Sequence, residues 1–133
     1  MPLRVLVVDD YPDTRRSLRL LLRSWGHDAR EASDGPDALR LVEAFAPEVI
    51  LLDVAMPGMD GFELARQLQR RPLAPRPLLV ALTGHTRAVD INAALDAGLD
   101  HFFAKPCDPA QIDFLLRAFD RARQAQGGTA AAS

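Results

Sequence analysis

Asp9, Asp10, Asp53, Thr83 and Lys105 each follow directly on a short apolar run of the chain. Three carboxylates, a hydroxyl and an ammonium make a set suited to handling phosphate. Carboxylates gathered in one place repel one another and stay ionised only beside a cation. Hard oxygen ligands suit Mg2+, which keeps several waters and leaves room for phosphate oxygens, with Mn2+ as the alternative ion. Asp53 follows Val49-Ile50-Leu51-Leu52, where a charge serves no packing purpose. Such a carboxylate could attack a phosphoryl group in line and form an aspartyl phosphate. The metal ion and Lys105 would neutralise the transferring oxygens, and Thr83 would donate a hydrogen bond to the new phosphoryl group. Taken singly, the residues have ordinary explanations. Asp10 could cap a helix or solvate its own loop, Thr83 could cap a helix beginning near His85, and Lys105 could form a surface ion pair.

Composition separates the lysine from that background. Among 133 residues there are 15 arginines and one lysine, and 14 aspartates against four glutamates. In a chain that otherwise uses arginine throughout, a compact ammonium at Lys105 reads as chosen for reach and shape. The net charge of −2 offers no electrostatic footprint for nucleic acid or an anionic membrane. No uncharged run approaches the roughly 20 residues of a membrane span. The first ten residues turn acidic too soon for a secretory signal, and the single Cys107 forms no internal disulfide. A cytoplasmic location is expected.

The five residues meet only if the runs before them lie side by side. The runs are Leu3–Val8, Asp28–Ala32, Val49–Leu52, Leu78–Leu82 and His101–Ala104. Three are continuous rather than alternating, as in strands covered on both faces of a parallel sheet. The second and fifth are more polar, which suits less buried positions. Between them lie segments with helical spacing: Leu18, Leu21, Leu22 and Trp25; Leu39, Val42 and Ala46; Phe62, Ala65 and Leu68; Ile91, Ala94, Leu95 and Gly98; and Ile112, Leu115, Leu116 and Phe119. Pro12 and Pro36 suit first helical turns, while Gly26 and Gly98 suit helix ends. Strand followed by helix, five times over, predicts a doubly wound (βα)5 parallel α/β sheet with helices on both faces. In that architecture the loops at the carboxyl ends of the strands converge. Residues 1–123 read as one domain and residues 124–133 as a flexible tail.

VLVVDDYPD, VILLDVAMPGMDG, VALTG and FFAKP, in this order and near this spacing, resemble the receiver domain of bacterial two-component response regulators. The likeness covers about residues 3–122 and implies the flavodoxin-like strand order 2-1-3-4-5. It implies that Asp53 is the phosphoacceptor. It also implies that Asp10, Asp53 and the Ala55 main-chain carbonyl are the metal ligands, with Asp9 acting through a water. Thr83 and Lys105 then serve the phosphoryl group, Thr83 and Phe102 form the switch pair, and Lys105-Pro106 is a cis peptide. Ala55 and His85 flank the phosphate, and an intermediate phosphoryl lifetime is expected. Phe102 could instead be a core aromatic beside Phe103.

The resemblance further implies a signalling switch that catalyses only its own phosphorylation and dephosphorylation. Its phosphodonor would be a histidine kinase or a histidine phosphotransfer protein. Its output face, built from Arg87–Ala97, strand five and Ala110–Arg123, would meet another protein or a second copy of the chain, with no role for nucleic acid or membrane. Two enzyme-like or cofactor-binding alternatives fit less well. A phosphatase of the haloacid dehalogenase type needs a second acid where Ala55 stands, and a flavodoxin-like FMN binder needs a hydroxyl-rich first loop instead of acids. His27, His101 and Cys107 read as surface or packing residues.

Overall fold

The computed structural model describes residues 2–56, 58–73, 75–84, 92, 95–105 and 107–132, with 126–132 described by backbone alone. Five parallel strands form one sheet: β1 (Arg4–Val8), β2 (Asp28–Ala32), β3 (Val49–Asp53), β4 (Leu78–Thr83) and β5 (His101–Ala104). Their order is β2-β1-β3-β4-β5, as the resemblance implies. The helices among the described residues are α1 (Pro12–Ser24), α2 (Gly35–Phe45), α3 (Gly61–Gln69) and a C-terminal helix, α4 (Pro109–Ala132). Most of the helical segment expected at 87–97 lies outside the described residues, as do His85 and Pro106.

Strand periodicity divides the core into two layers. Successive side chains point to opposite faces, so Leu6, Val8, Ile50, Leu52, Leu79 and Ala81 pack with Ala38, Val42, Leu64 and Leu68 of α2 and α3. Val5, Val7, Val49, Leu51, Val80 and Leu82 pack with Leu22, Ile112 and Leu116 of α1 and α4. All of β3 is buried, whereas the edge strands β2 and β5 expose Asp28, Arg30, His101 and Ala104. That is the physical content of the polar second and fifth runs.

Helix ends set the loops around the strand termini. Pro12 starts α1, where its missing N–H costs no hydrogen bond. Asp34 caps α2 by accepting the Asp37 amide at 2.9 Å, and Asp60 caps α3 by accepting the Glu63 amide at 2.9 Å. Helix α2 stops one residue before Ala46, which is exposed in the left-handed region at φ 52°. Pro47 disfavours right-handed helix at the residue preceding it, so Phe45 rather than Ala46 supplies the last inward side chain. The backbone of α4 is helical through Ala132, across the segment from Gln124 read as a flexible tail.

Two strands run one residue beyond their apolar runs. Asp53 pairs in register with Leu82, and Thr83 with Ala104. Both polar residues therefore belong to the sheet ladder itself, which gives their Cα positions the rigidity of the core.

Candidate functional site

Asp9, Asp53 and Thr83 are the buried polar residues of the described chain, at 2, 7 and 3% exposure. A chain buries such groups only when they are paired or when function requires them. All three lie at the carboxyl edge of the sheet, at the ends of β1, β3 and β4, and Lys105 reaches the same edge from the end of β5. The Lys105 ammonium is 3.0 Å from Asp9 Oδ2 and 3.5 Å from Asp53 Oδ2. The Lys105 amide donates to the Thr83 carbonyl at 2.6 Å, which extends the β4–β5 pairing to the site.

Backbone amides orient both buried carboxylates. Asp9 Oδ1 accepts the Tyr11 N–H at 3.0 Å, and Asp53 Oδ1 accepts the Ala55 N–H at 3.0 Å. Asp10 is exposed, yet one oxygen from each of Asp9, Asp10 and Asp53 lies within 4.8 Å of the others. Three carboxylates against one ammonium leave two negative charges. Burial pushes the Asp53 carboxyl above its ordinary range, and the neighbouring Asp9 charge adds to this, against the Ala55 amide and the Lys105 charge. Burial also works against the Lys105 ammonium. The Asp9 hydrogen bond and the two carboxylate charges outweigh it, and its pKa is raised. The site thus holds its lysine charged and is short of positive charge. A hard divalent cation matches both the deficit and the all-oxygen donor set.

Helix α3 closes against the phosphoacceptor candidate. A Cβ on Gly61 would stand 2.6 Å from Val54 Cα and 2.8 Å from the Asp53 carbonyl oxygen, so only glycine lets the helix start here. Phe102 and Phe103 point to opposite faces. Phe102 is half-buried against the α2–α3 layer, which includes Ala97 and Leu99, and Phe103 packs in the α1–α4 layer. His27 and Cys107 stand away from the acidic cluster. His27 Nδ1 accepts the Leu3 amide at 3.1 Å, and Cys107 packs against the α1–α4 layer. Sequence reasoning passed over Gly61, the Tyr11 amide, Arg15 and Glu31. Asp60-Gly61 before a helical run was a legible cap, whereas Arg15 is camouflaged among the other arginines.

A family model described as the response regulator receiver domain matches residues 5–117. The chain belongs to that family. An uncharacterised 14.6 kDa protein of Leptolyngbya boryana is 39% identical over 115 residues, 86% of this chain and 88% of that one. The DNA-binding response regulator MtrA of Mycolicibacterium smegmatis is 36% identical over 86% of this chain, and the match covers 49% of MtrA. The receiver domain thus spans about half the length of MtrA. The receiver domain of the sensor histidine kinase PA1611 from Pseudomonas aeruginosa superimposes with a TM-score of 0.80 at 28% identity, covering 89% of this chain and 97% of that one. That structure holds a magnesium ion coordinated in its active-site cleft. The chain is accordingly a receiver domain of two-component signalling, a module that works as a switch. No helix among its described residues is long and apolar enough to cross a membrane.

Proposed function

We propose that Asp53 accepts a phosphoryl group and that this modification switches the receiver domain. The observation that carries the reading is a buried carboxylate at the end of β3, 3.5 Å from the chain's one lysine and clustered with two further acids. Burial strips water from Asp53 and raises its basicity, which favours it as a nucleophile, while the Ala55 amide fixes its rotation. In the transfer an Asp53 carboxylate oxygen forms a bond to phosphorus. The bond from phosphorus to the donor breaks, and its electron pair leaves on the histidine nitrogen of a kinase or phosphotransfer protein, or on the oxygen of an acyl phosphate.

Lys105 stands within reach of the charge that builds on the phosphoryl oxygens, and Asp9 holds the ammonium in place. Asp10, Asp53 and the Ala55 carbonyl would hold Mg2+, with Asp9 in support through water and Mn2+ as the substitute ion. When bound, the ion supplies charge neutralisation on the phosphoryl oxygens. Thr83, buried at the end of β4, donates its hydroxyl to the acquired phosphoryl group. Phe102 follows because β5 is in register with β4. The face that includes β5 and α4 is then biased toward one of two states, which a partner protein or a second copy reads. His85 and Ala55 tune the lifetime of the aspartyl phosphate.

The test is incubation with acetyl phosphate and Mg2+ followed by intact mass, with amide NMR after acetyl phosphate or the non-covalent phosphoryl mimic beryllofluoride in the presence of Mg2+. Wild type should gain one phosphoryl group and show shifts at Thr83, Phe102 and α4, and Asp53→Asn should do neither. A wild type that gains no mass and shows no shifts would refute the reading.

A further inference from the structure

Arg15 ties the edge strand β2 to the acidic loop after β1 through its side chain. Its Nη1 donates to the Asp9 carbonyl at 2.9 Å, and its Nε donates to Glu31 Oε1 at 2.8 Å. Glu31 lies near the end of β2, and its second oxygen pairs with Arg19, one turn further along α1. On its other side the Asp9 amide donates to the Ala32 carbonyl at 3.2 Å. Asp9 is therefore held at its amide, its carbonyl and both carboxylate oxygens, the last two by Tyr11 and Lys105.

The Asp9 carbonyl and the Asp10 amide belong to one rigid peptide plane. Fixing that carbonyl therefore fixes the plane that carries the Asp10 N–H and places the Asp10 Cα. Asp10 is exposed and, among the described residues, has no hydrogen bond of its own. Its carboxylate nonetheless takes its place within 4.8 Å of those of Asp9 and Asp53. We infer that Arg15, oriented by Glu31, is a positioning residue that aims the Asp10 carboxylate into the cation site. This rests on the proposed metal-dependent reading of the site. A guanidinium offers Nε to Glu31 and Nη1 to the carbonyl at once, whereas a lysine has one nitrogen for both. The clamp also makes a sharp distinction between neighbours. Arg19 grips the same glutamate and does not touch Asp9.

The decisive comparison is Mg2+ affinity, by titration calorimetry, and the Asp10 amide resonance of the metal-free protein, across wild type, Arg15→Lys, Glu31→Gln, Arg19→Lys and Asp10→Asn. Outer-shell partners of metal ligands typically carry about ten- to hundredfold in affinity. Arg15→Lys should weaken binding by about tenfold or more on that scale and move the Asp10 amide, with Glu31→Gln smaller in the same direction. Arg19→Lys should leave both unchanged even where it lowers thermal stability, which separates aiming from general support. Wild-type affinity in a folded Arg15→Lys, or an unmoved Asp10 amide, overturns the inference alone. A wild type whose Mg2+ binding is absent or indifferent to Asp10→Asn overturns the metal reading and the inference with it.

Discussion

Asp53 is a carboxylate that the fold tolerates at a cost. It is 7% exposed, and its ionised form is disfavoured by burial and by Asp9. Active sites routinely give up stability in this way. In metal-free buffer Asp53→Asn should therefore unfold at higher urea, with a gain of about 1 kcal/mol, while losing phosphoryl acceptance. Lys105 separates charge from shape. Lys105→Arg keeps the cation but replaces a compact ammonium with a planar fork between Asp9 and Asp53. It should fold normally and slow acetyl phosphate labelling by on the order of tenfold or more, as followed by intact mass over time. Both residues were legible as the acid after an apolar run and as the lone lysine. Arg15 and Glu31 were not. An arginine four residues along a helix from a loop looks like any solvated helix charge until the fold turns it back onto the Asp9 carbonyl.

At the scale of elements, continuous apolar runs announced the buried strands, and their polar counterparts announced the edges β2 and β5. The ends of elements were less legible because they depend on neighbours. Ala46 sits at a helical spacing from Val42, yet the following Pro47 disfavours right-handed helix there, and Ala46 instead caps α2 in the left-handed region. Asp53 and Thr83 join their strands because Leu82 and Ala104 stand opposite them in the adjoining strands. Gly61 belongs to this scale as well. Its α-carbon lies against the backbone of Asp53 and Val54, and backbone cannot swing aside as a side chain can. Gly61→Ala should cost about 1–3 kcal/mol in chemical denaturation, against the small gain alanine brings in an open helix.

The whole molecule links the site to the rest of the chain through two apolar layers on one sheet, and two solution properties follow. A ligand that binds only the folded state stabilises it, by about 2.7 kcal/mol at a hundred times its dissociation constant. Mg2+ should accordingly raise the melting temperature of wild type and leave Asp10→Asn nearly unmoved in a thermal scan. The opposite edge of the sheet carries a pH dependence. His27 accepts the Leu3 amide through Nδ1, which requires that nitrogen to be unprotonated. Burial lowers its pKa, and the N-terminal charge and Arg117 act in the same direction, against Asp113 and Asp120 on α4. With the folded value below the unfolded 6.5, His27 contributes its full stability above pH 6.5. That contribution is lost as the pH falls from there through the folded value. His27→Asn keeps an acceptor that takes no proton, so its urea midpoint should be flatter than that of wild type across the same pH interval.

By itself the sequence determined the five strands and the helices α1 to α4, in their chain order. Apolar periodicity, proline and capping signals are local, and burial on one face or two is written in every few residues. The chemical types at the strand ends were equally plain, since Asp9, Asp10, Asp53, Thr83 and Lys105 stand where apolar runs stop. Tertiary structure alone decided the distances among them. A lysine 96 positions along the chain from Asp9 comes to 3.0 Å of it because β1 and β5 share a sheet. It also decided which arginine matters. Hydrogen-bond geometry depends on where distant segments arrive, and Arg15 acquires its role only when β2 brings Glu31 alongside the end of β1.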